Sequence, residues 1–319
     1  MPDTEPICPR LLKREFMGDH ISVCVCTYRR NSMLARLLRN LALQDTRGRF
    51  TFSVVVVDND PSGPARAEVA RLRSEVSMEI VYGVEPERTI PAARNHAIRL
   101  AKGNFIGIMD DDEFPPPHWL ITLYQAVRTF EVDGALGPVI PFFEQPPPAW
   151  LKRSGLCDLP QWRTGTLLQW QQTRTGNVLL KKDVFDRYGI CFDETFRTGG
   201  SDQAFFRHAM GLGFRFVAVE EAPVYEIVPP ERWSKSYFLR RALVNGFNAQ
   251  KYLATEGRKL KSITAILKSA IAVSVYTVIA PVCACIGTHV LMNCMERGFY
   301  HLSRLSAAVG IELWKKRDF

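Results

Sequence analysis

The sequence is poor in features that build cysteine-based sites. Its eight cysteines include no Cys-x-x-Cys pair, and none lies at zinc-ligand spacing from a histidine. We therefore expect no structural zinc site, and we expect reduced thiols in a cytosolic setting. Cys24 and Cys26 alternate within an apolar segment, where they act as small apolar residues. Residues 1–20 are charged throughout and lack the apolar run of a secretory signal peptide.

Other signatures are missing as well. The sequence has no internal repeat, no recognised nucleic-acid-binding motif, and no glycine-rich, lysine-bearing phosphate loop after its first predicted strand. Of its 319 residues, 46% are hydrophobic and 11% aromatic, which excludes disorder as the main state and allows one substantial core. The net charge of +8 favours a partner that carries phosphate or an anionic membrane surface, and a merely soluble basic protein is equally compatible with it.

Strand and helix periods alternate along most of the chain. Strands are predicted at 21–26, 52–57, 78–83, 105–109, 134–141, 175–180 and 214–220, and helices at 32–43, 64–75, 91–101, 119–131, 182–188 and 202–211. This alternation predicts an α/β protein with a mostly parallel, doubly wound sheet. Residues 144–170, which are rich in Pro, Trp and Gly, are predicted to form a long irregular excursion.

Polar residues follow the predicted parallel strands at the points where they end. Thr27 follows the first strand, Asp58 the second, and Asp110 to Asp112 the fourth. Doubly wound sheets bind their ligands at the carboxyl ends of the strands. We therefore expect these three clusters to meet at one edge of the sheet.

The densest cluster is a run of four acids, Asp110 to Glu113. Pro115, Pro116 and Pro117 then force the chain away from the sheet. Four like charges at a strand end cost free energy unless a cation lies among them, and hard carboxylate oxygens suit Mg²⁺ or Mn²⁺. The alternative is a solvated acidic turn, because acids concentrate in loops.

The C-terminal part of the chain has a different character. Residues 232–260 are predicted to be helical and basic, and no charged residue occurs from Ser269 to Met292. That stretch is long enough to cross a bilayer, although Pro281 and Gly287 would kink it. Membrane spanning, in-plane attachment and a soluble helical hairpin all remain open.

The order of these clusters resembles the family 2 glycosyltransferases, which are inverting sugar-nucleotide enzymes of the GT-A fold. The matching segments are residues 25–30, 55–59, 93–95, 109–113 and 199–202. The resemblance covers about residues 20–250. Within the family, residues 136–139, 148–150, the run from Arg174 and the hydrophobic tail resemble bacterial exopolysaccharide glucosyltransferases of the succinoglycan type.

The resemblance implies a Rossmann-like GT-A domain with a C-terminal hydrophobic helical extension. The expected division is a lead-in at 1–20, a catalytic domain at 21–230 and a membrane-associating helical region at 231–319. Within the catalytic domain, residues 21–113 would form the nucleotide half and residues 114–230 the acceptor half.

The resemblance also implies roles for individual residues. The nucleotide would contact Thr27, Tyr28, Arg29, Asp58, Arg94, Asp110 and Asp111, and the metal would contact Asp110 and Asp112, of which Asp112 is the expected direct ligand. Asp202 matches the family's catalytic base. Trp150, Arg240 and Arg241 are candidates for contacts with the acceptor or with phosphate.

Each of these roles has a simpler structural alternative. Asp58 is equally typical of an Asx turn with Asn59, and Arg94 of a solvated cation on a helix. Asp202 alone is more typical of a helix N-cap. Two departures from the family pattern also matter: Ser201 stands where the family usually has Glu, and Tyr225 stands where many relatives have a metal-binding His. A neutral phenol is a poor ligand for a hard ion, so Glu226 is the nearby alternative.

We therefore expect a glycosyltransferase at the cytoplasmic face of the cell membrane. It would use Mn²⁺ or Mg²⁺ and a UDP-sugar, most simply UDP-glucose, and a polyprenyl-diphosphate-linked oligosaccharide would be its acceptor; no nucleic acid partner is expected. Two other functions remain open, a sugar nucleotidyltransferase and a non-catalytic sugar-nucleotide-binding protein of the same fold.

Overall fold

A computed structural model describes residues 18–196, 199–255 and 259–313. The predicted lead-in lies almost entirely outside these residues. The chain divides into two compact units, one formed by 1–142 with 159–227 and the other by 143–158 with 228–319.

Helices and strands alternate as the sequence predicts through the first unit. The strands are β1 (His20–Thr27), β2 (Thr51–Asp58), β3 (Glu79–Val84), β4 (Phe105–Asp110), β5 (Glu113–Phe114), β6 (Gly134–Leu136), β7 (Val139–Phe142), β8 (Asn177–Lys181), β9 (Phe216–Ala218) and β10 (Val224–Ile227). The α-helices are α1 (Asn31–Leu41), α2 (Arg66–Glu75), α3 (Ile90–Leu100), α4 (Trp119–Thr129), α5 (Ala149–Ser154), α6 (Asp183–Asp186), α7 (Ser201–Gly211), α8 (Lys235–Thr255), α9 (Lys259–Ile286) and α10 (Thr288–Ala308).

The main sheet has seven strands in the order β3-β2-β1-β4-β8-β6-β9. Strands β3, β2, β1 and β4 are parallel, and β6 is parallel to β9, whereas β8 runs antiparallel to both of its neighbours. Val54 to Val57 of β2 are all buried, because hydrophobic clusters cover both faces of the sheet. The predicted α/β class with a mostly parallel sheet is confirmed.

One predicted strand, 134–141, is wrong as a single element. It divides into β6 and β7, which belong to different sheets, since β7 pairs with β10 in a small sheet of order β5-β10-β7. The break falls at Gly137 and Pro138. A Cβ at Gly137 would lie 1.9 Å from the carbonyl oxygen of Ala222, and Pro138 has no amide hydrogen to continue a ladder.

The second unit consists of α5, α8, α9 and α10. Its small core contains Leu151, Phe238 and Met292. Residues 143–158 overlap the stretch 144–170 that is predicted to be irregular; they contain α5 and belong to this helical unit.

The uncharged stretch 269–292 is not one helix. Pro281 lies inside α9, but α9 ends at Ile286 and α10 begins at Thr288. Gly287 between them has φ of +151°, a backbone conformation that side chains other than glycine rarely adopt. Within the described residues, one helical segment, Ser262–Ile286, is long and apolar enough to cross a membrane by length and composition.

Candidate active site

The predicted site residues meet at one edge of the main sheet, where β1, β2 and β4 end. In the register of the sheet, Thr27 is opposite Asp58, and Cys26 is opposite Asp110. Strand β8 begins at the same edge because it runs antiparallel, with Asn177 opposite Met109. The loop before β8 therefore lies at the same edge as the carboxyl ends of the parallel strands.

Three of the four consecutive acids are buried. Asp111, Asp112 and Glu113 are 4–6% exposed, so the alternative of a solvated acidic turn is wrong for them. One Asp111 oxygen accepts a hydrogen bond from the Thr27 hydroxyl at 2.8 Å. Arg30 donates to the other Asp111 oxygen at 2.9 Å and to Asp112 at 3.1 Å, so one arginine partly neutralises two of the acids.

Asp110, Asp111 and Glu113 hold their protons more tightly than usual. Partial burial raises the pKa of Asp110 to about 6, the charges of Asp112, Asp202 and Asp111 add to the rise, and the charge of Arg94 opposes it. Burial also raises the pKa of Glu113 well above its ordinary value, and the neighbouring Asp110 adds to that effect. A cation bound here would relieve this repulsion.

Arg94 links the acid run to Asp202. One guanidinium nitrogen lies 2.6 Å from Asp202 and the other 3.3 Å from Asp110. The side chain is 7% exposed, so the alternative of a solvated helix cation is wrong. Because the guanidinium is occupied by two carboxylates, its predicted contact with a diphosphate stays a prediction.

The position of Arg94 follows from the construction of α3. The Thr89 hydroxyl caps the helix by accepting a hydrogen bond from the amide of Ala92 at 3.3 Å, and Pro91 lies in the first turn. Ala93 and Ala97 face the sheet with almost no exposure. These small side chains let α3 lie close to the sheet, which brings Arg94 over the end of β4.

Asp202 lies in the first turn of α7 but does not cap it. Its Oδ1 accepts hydrogen bonds from Arg94 and, at 3.2 Å, from the Ser201 hydroxyl. Its Oδ2 accepts from the Thr175 hydroxyl at 2.7 Å and from the Thr175 amide at 3.3 Å. Gly200, with φ of +93°, is the cap residue, so the N-cap alternative is wrong.

These contacts keep Asp202 ionised. Burial alone would raise its pKa, but the Arg94 charge and the hydrogen bonds from Thr175 and Arg94 outweigh burial and hold the pKa below its ordinary value. The side chain remains 30% exposed, so the carboxylate is both charged and open to an incoming group.

Asp58 is held mainly by the turn that follows β2. It is fully buried, and its carboxylate accepts hydrogen bonds from the amides of Asp60 at 3.2 Å and Ala65 at 2.8 Å and from the Tyr82 hydroxyl at 3.1 Å. The bond to the Asp60 amide is that of an Asx turn, the alternative open from the sequence. With its oxygens engaged in this way, Asp58 organises the turn after β2, and its predicted contact with a nucleotide base stays a prediction.

The loop after β1 carries the remaining predicted nucleotide contacts. Arg29 donates to Asp60 at 2.5 Å, and its guanidinium lies 5.3 Å from the ring centre of Tyr28. Arg29 has φ of +53°, uncommon for a side chain larger than that of Asn. The nucleotide contacts predicted for Tyr28 and Arg29 stay predictions.

Sequence reasoning assigned no role to three other residues at this edge, Arg30, Thr175 and Gly176. A Cβ at Gly176 would lie 2.5 Å from Glu113 and 3.4 Å from Asp110, so the glycine permits close approach of the backbone to the acids. Arg30 lies inside the first matching segment, and Thr175 and Gly176 lie in the run from Arg174. The family resemblance therefore pointed to these residues, but their contacts with the acids depend on the antiparallel direction of β8.

The small sheet places another acid, Glu226, beside Glu113. Glu226 of β10 is directly opposite Glu113 of β5, and Arg174 lies in the field of both carboxylates. Tyr225 instead stacks on Phe114 with ring centres 5.5 Å apart. The residue at the expected histidine position is thus part of an aromatic cluster, and the carboxylate beside it faces the same way as Glu113.

The predicted acceptor residues belong to the helical unit. Trp150 packs edge-on against Phe238 with ring centres 6.0 Å apart, and Arg241 donates to the carbonyl oxygen of Leu156 at 2.6 Å. Arg240 is exposed on α8. These contacts are structural for Trp150 and Arg241, and the acceptor roles of all three residues stay predictions.

The acids fit a divalent ion that is held only partly by protein. No group of three or more Asp, Glu, His or Cys side chains in the described residues forms a ready metal site. Mg²⁺ and related ions are commonly bound by one or two carboxylates together with substrate phosphates. The Asp110 side chain is 47% exposed, whereas the Asp112 side chain is only 9% exposed and is paired with Arg30, so Asp110 is the more accessible carboxylate.

Comparison with known proteins agrees with this geometry. Residues 22–192 match the profile of Glycosyl transferase family 2. The succinoglycan biosynthesis protein ExoM of Rhizobium meliloti (strain 1021) is 34% identical over 247 residues, which cover 76% of this chain and 78% of ExoM. Hyaluronan synthase of Pasteurella multocida is 26% identical over 251 residues, which cover 69% of this chain and 26% of that enzyme.

Solved structures show the same fold. The mannosyltransferase PcManGT from Pyrobaculum calidifontis, solved with GDP-Man and Mn²⁺, superposes with a TM-score of 0.61 at 17% identity, covering 95% of this chain and 90% of PcManGT. S. aureus TarS 1–349 in complex with UDP superposes with a TM-score of 0.54 at 18% identity, covering 92% of each chain. With its family profile, its ExoM similarity and its GT-A fold, the chain belongs to glycosyltransferase family 2.

Proposed function

We propose that the protein is a metal-dependent, inverting hexosyltransferase of exopolysaccharide biosynthesis. It transfers glucose from UDP-glucose to a polyprenyl-diphosphate-linked oligosaccharide at the cytoplasmic face of the cell membrane. The observation that carries this proposal is the ionised, partly exposed carboxylate of Asp202, joined through Arg94 to the acids that end β4. The similarity to ExoM supports the process, and the basic, apolar C-terminal region supports a lipid-linked acceptor.

Asp202 acts as the general base in this proposal. An inverting transfer needs one group to accept the proton of the acceptor hydroxyl while that oxygen attacks the anomeric carbon from the face opposite the leaving diphosphate. A pKa below the ordinary value keeps Asp202 unprotonated at neutral pH, and Thr175 holds one of its oxygens in a fixed direction. The Ser201 hydroxyl, which replaces the usual family Glu, adds a hydrogen bond to the other oxygen.

The acids Asp110 and Asp112, at and just after the end of β4, hold the metal ion that binds the donor. A bound Mg²⁺ or Mn²⁺ would neutralise charge that develops on the departing nucleotide diphosphate. Asp110 would be its principal protein ligand and Asp112 the second. Thr27 and Arg30 hold Asp111 and Asp112 from the protein side, so the protein itself orients two of these acids.

The test of the base is Asp202→Asn, which keeps the shape of the side chain and removes its basicity. Transfer, measured as UDP release with Mn²⁺ and acceptor, should fall by about 10²- to 10⁴-fold. UDP-glucose binding, measured by calorimetry, should change by less than about threefold, because the substituted group contacts the acceptor rather than the nucleotide. Asp186→Asn, an exposed acid on α6, is the matched control and should retain full turnover.

Turnover of Asp202→Asn at the wild-type rate would refute Asp202 as the base. The choice of sugar is tested separately by a screen of UDP- and GDP-sugars with nucleotide release as the signal. A preferred donor other than UDP-glucose would overturn that part of the proposal and leave the role of Asp202 intact.

A further inference from the structure

Helix α9 carries a continuous exposed apolar stripe. Seven of its side chains, spaced three or four residues apart, share one face and are 49–75% exposed: Ile263, Leu267, Ile271, Val275, Val278, Val282 and Ile286. The most apolar 18 residues of the segment Ser262–Ile286 have a mean hydropathy of 2.1, and only 6% of them are buried. At 1.5 Å per residue, the 25 residues of this segment extend for about 37 Å.

The opposite face of α9 packs against α10. The Ser269 hydroxyl is 3.1 Å from a ring nitrogen of His301, and Tyr276 stacks on the same His301 ring with centres 6.2 Å apart. The Cys294 thiol contacts the carbonyl oxygen of Tyr276 at 3.5 Å. These contacts pair α9 with α10 in antiparallel register along much of their lengths.

Helix α10 contacts the rest of its unit through polar side chains as well as through the buried Met292. Arg304 donates to Gln250 of α8 at 3.2 Å, and Asn293 donates to the carbonyl oxygen of Ser154 at 3.0 Å. The Ser303 hydroxyl donates to the carbonyl oxygen of Leu243 on α8. Helix α10 therefore lies between α9 and α8, with polar contacts to both α8 and α5.

This arrangement opposes a transmembrane orientation of α9. Because α10 runs back along α9, a spanning α9 would carry Glu296, Arg297 and Arg304 to the depth of the bilayer core. Charged side chains at that depth are strongly unfavourable. An orientation in the plane of the membrane immerses the apolar stripe and leaves α10 and α8 toward water.

We propose that the stripe on α9 docks in the plane of an anionic bilayer, without crossing it. This inference rests on the membrane location proposed above and specifies its geometry. Residues 228–319 contain 14 Lys and Arg against 5 Asp and Glu, a net charge of +9, whereas the rest of the chain sums to −1. All of the surplus positive charge thus belongs to the segment that carries the stripe, which suits an anionic lipid surface.

The first test is vesicle binding by the purified full chain. Sedimentation with unilamellar phosphatidylcholine vesicles containing about one third phosphatidylglycerol should show binding that Ile271→Glu with Val278→Glu weakens at least tenfold. The matched control is Leu43→Glu, which charges an exposed leucine of the other unit (65% exposed) and should bind as the wild type does. Wild-type binding by the stripe variant would overturn the proposal.

The second test separates in-plane docking from spanning. Thr288→Cys at the α9–α10 turn is probed with a membrane-impermeant maleimide on sealed vesicles to which the protein is bound from outside. We expect Thr288→Cys to gain one modified cysteine over the wild type without detergent. Leu43→Cys on the other unit is the control and should gain one in the same way. Modification of Thr288→Cys only after detergent would mean that the turn has crossed the bilayer, and in-plane docking would be refuted.

A second copy of the chain is the other possible occupant of the stripe. Light scattering without lipid checks it: a dimer that becomes a monomer in the stripe variant, with vesicle binding unchanged, would overturn the lipid assignment. Failure of the proposed transfer reaction is recognised independently, because UDP release is measured in detergent without vesicles.

Discussion

At the scale of single residues, Thr175 connects the fold to the chemistry. It is fully buried, and both its hydroxyl and its amide donate to one oxygen of Asp202. The hydroxyl bond favours the charged form of the carboxylate and restricts its direction. Thr175 is therefore a positioning residue for the proposed base.

Substitution of Thr175 by Val keeps the side-chain shape and removes the hydroxyl bond. Because that bond lowers the pKa of Asp202, its loss should raise the pKa and move the acidic limb of the kcat/KM profile to higher pH. We expect kcat to fall about tenfold, consistent with one lost hydrogen bond to a charged group, with little change in the donor KM. Thr175→Ser should restore both rate and profile. A slower Thr175→Val enzyme with an unshifted pH profile would indicate a structural role only.

Asp19 is a second residue whose charge matters, here for stability. Tyr124 and Arg128 of α4 donate to its carboxylate, as does the Asn104 side chain at 2.6 Å. Burial alone would raise the pKa of Asp19, but these hydrogen bonds outweigh burial and lower it.

Asp19→Asn should lower the free energy of unfolding by about 1.5 to 3 kcal/mol at pH 7, since bonds to a charged acceptor are lost. A lowered folded-state pKa means that this stabilisation is complete above the unfolded value of about 3.9 and is lost as pH falls through the folded-state pKa. Urea unfolding at pH 3 to 7 should therefore show a smaller difference between variant and wild type at the acid end. Asp45→Asn, at an exposed acid, is the control; an equal loss in both variants would contradict the prediction.

At the scale of elements, the packing of α8 on α10 depends on one glycine. A Cβ at Gly246 would lie 2.1 Å from the carbonyl oxygen of Tyr300 and 3.1 Å from Ser303. The first contact is with backbone, so a rotamer change does not relieve it.

Gly246→Ala should therefore destabilise the helical unit by about 1 to 3 kcal/mol, although alanine is the better helix former. Gly211→Ala is the matched substitution, since nothing lies within 4 Å of its added Cβ, and it should stabilise the first unit by about 0.5 to 1 kcal/mol. Thermal and urea unfolding of both variants measure the difference. Stabilisation by Gly246→Ala would show that α8 and α10 do not approach this closely.

At the scale of the whole molecule, charge is distributed unevenly. The +9 of residues 228–319 is set against −1 for the rest, so attraction to an anionic surface comes from the segment that contains the apolar stripe.

Raising NaCl from 50 to 500 mM should weaken binding to phosphatidylglycerol-containing vesicles at least tenfold, because the Debye length falls to a few ångströms. Binding to pure phosphatidylcholine vesicles should change little, since it depends on the stripe alone. Vesicle sedimentation across the salt series gives both numbers. Equal salt dependence on the two lipids would mean that charge does not direct the attachment.

The sequence by itself determined the repeating elements of the first unit and the polar ends of its strands. Buried valines in β2, alternation in β1 and the acids after β4 are local properties, because side-chain period and turn chemistry depend on neighbouring residues. The convergence of Thr27, the acids of β4 and Asp202 followed from those properties and from the family resemblance.

Only the tertiary structure decided which polar groups share partners. Periodicity does not distinguish a parallel from an antiparallel strand in the middle of a sheet, so the direction of β8, and with it Thr175 and Gly176 beside the acids, was not predictable from spacing. Asp58 and Asp202 are both acids at element ends, yet Asp58 accepts two backbone hydrogen bonds within its own turn. Asp202 is held instead by Thr175 and Arg94, which are 27 and 108 positions away in the sequence. The surroundings of Asp202 were therefore decided by long-range hydrogen bonding, which exists only once the chain has folded.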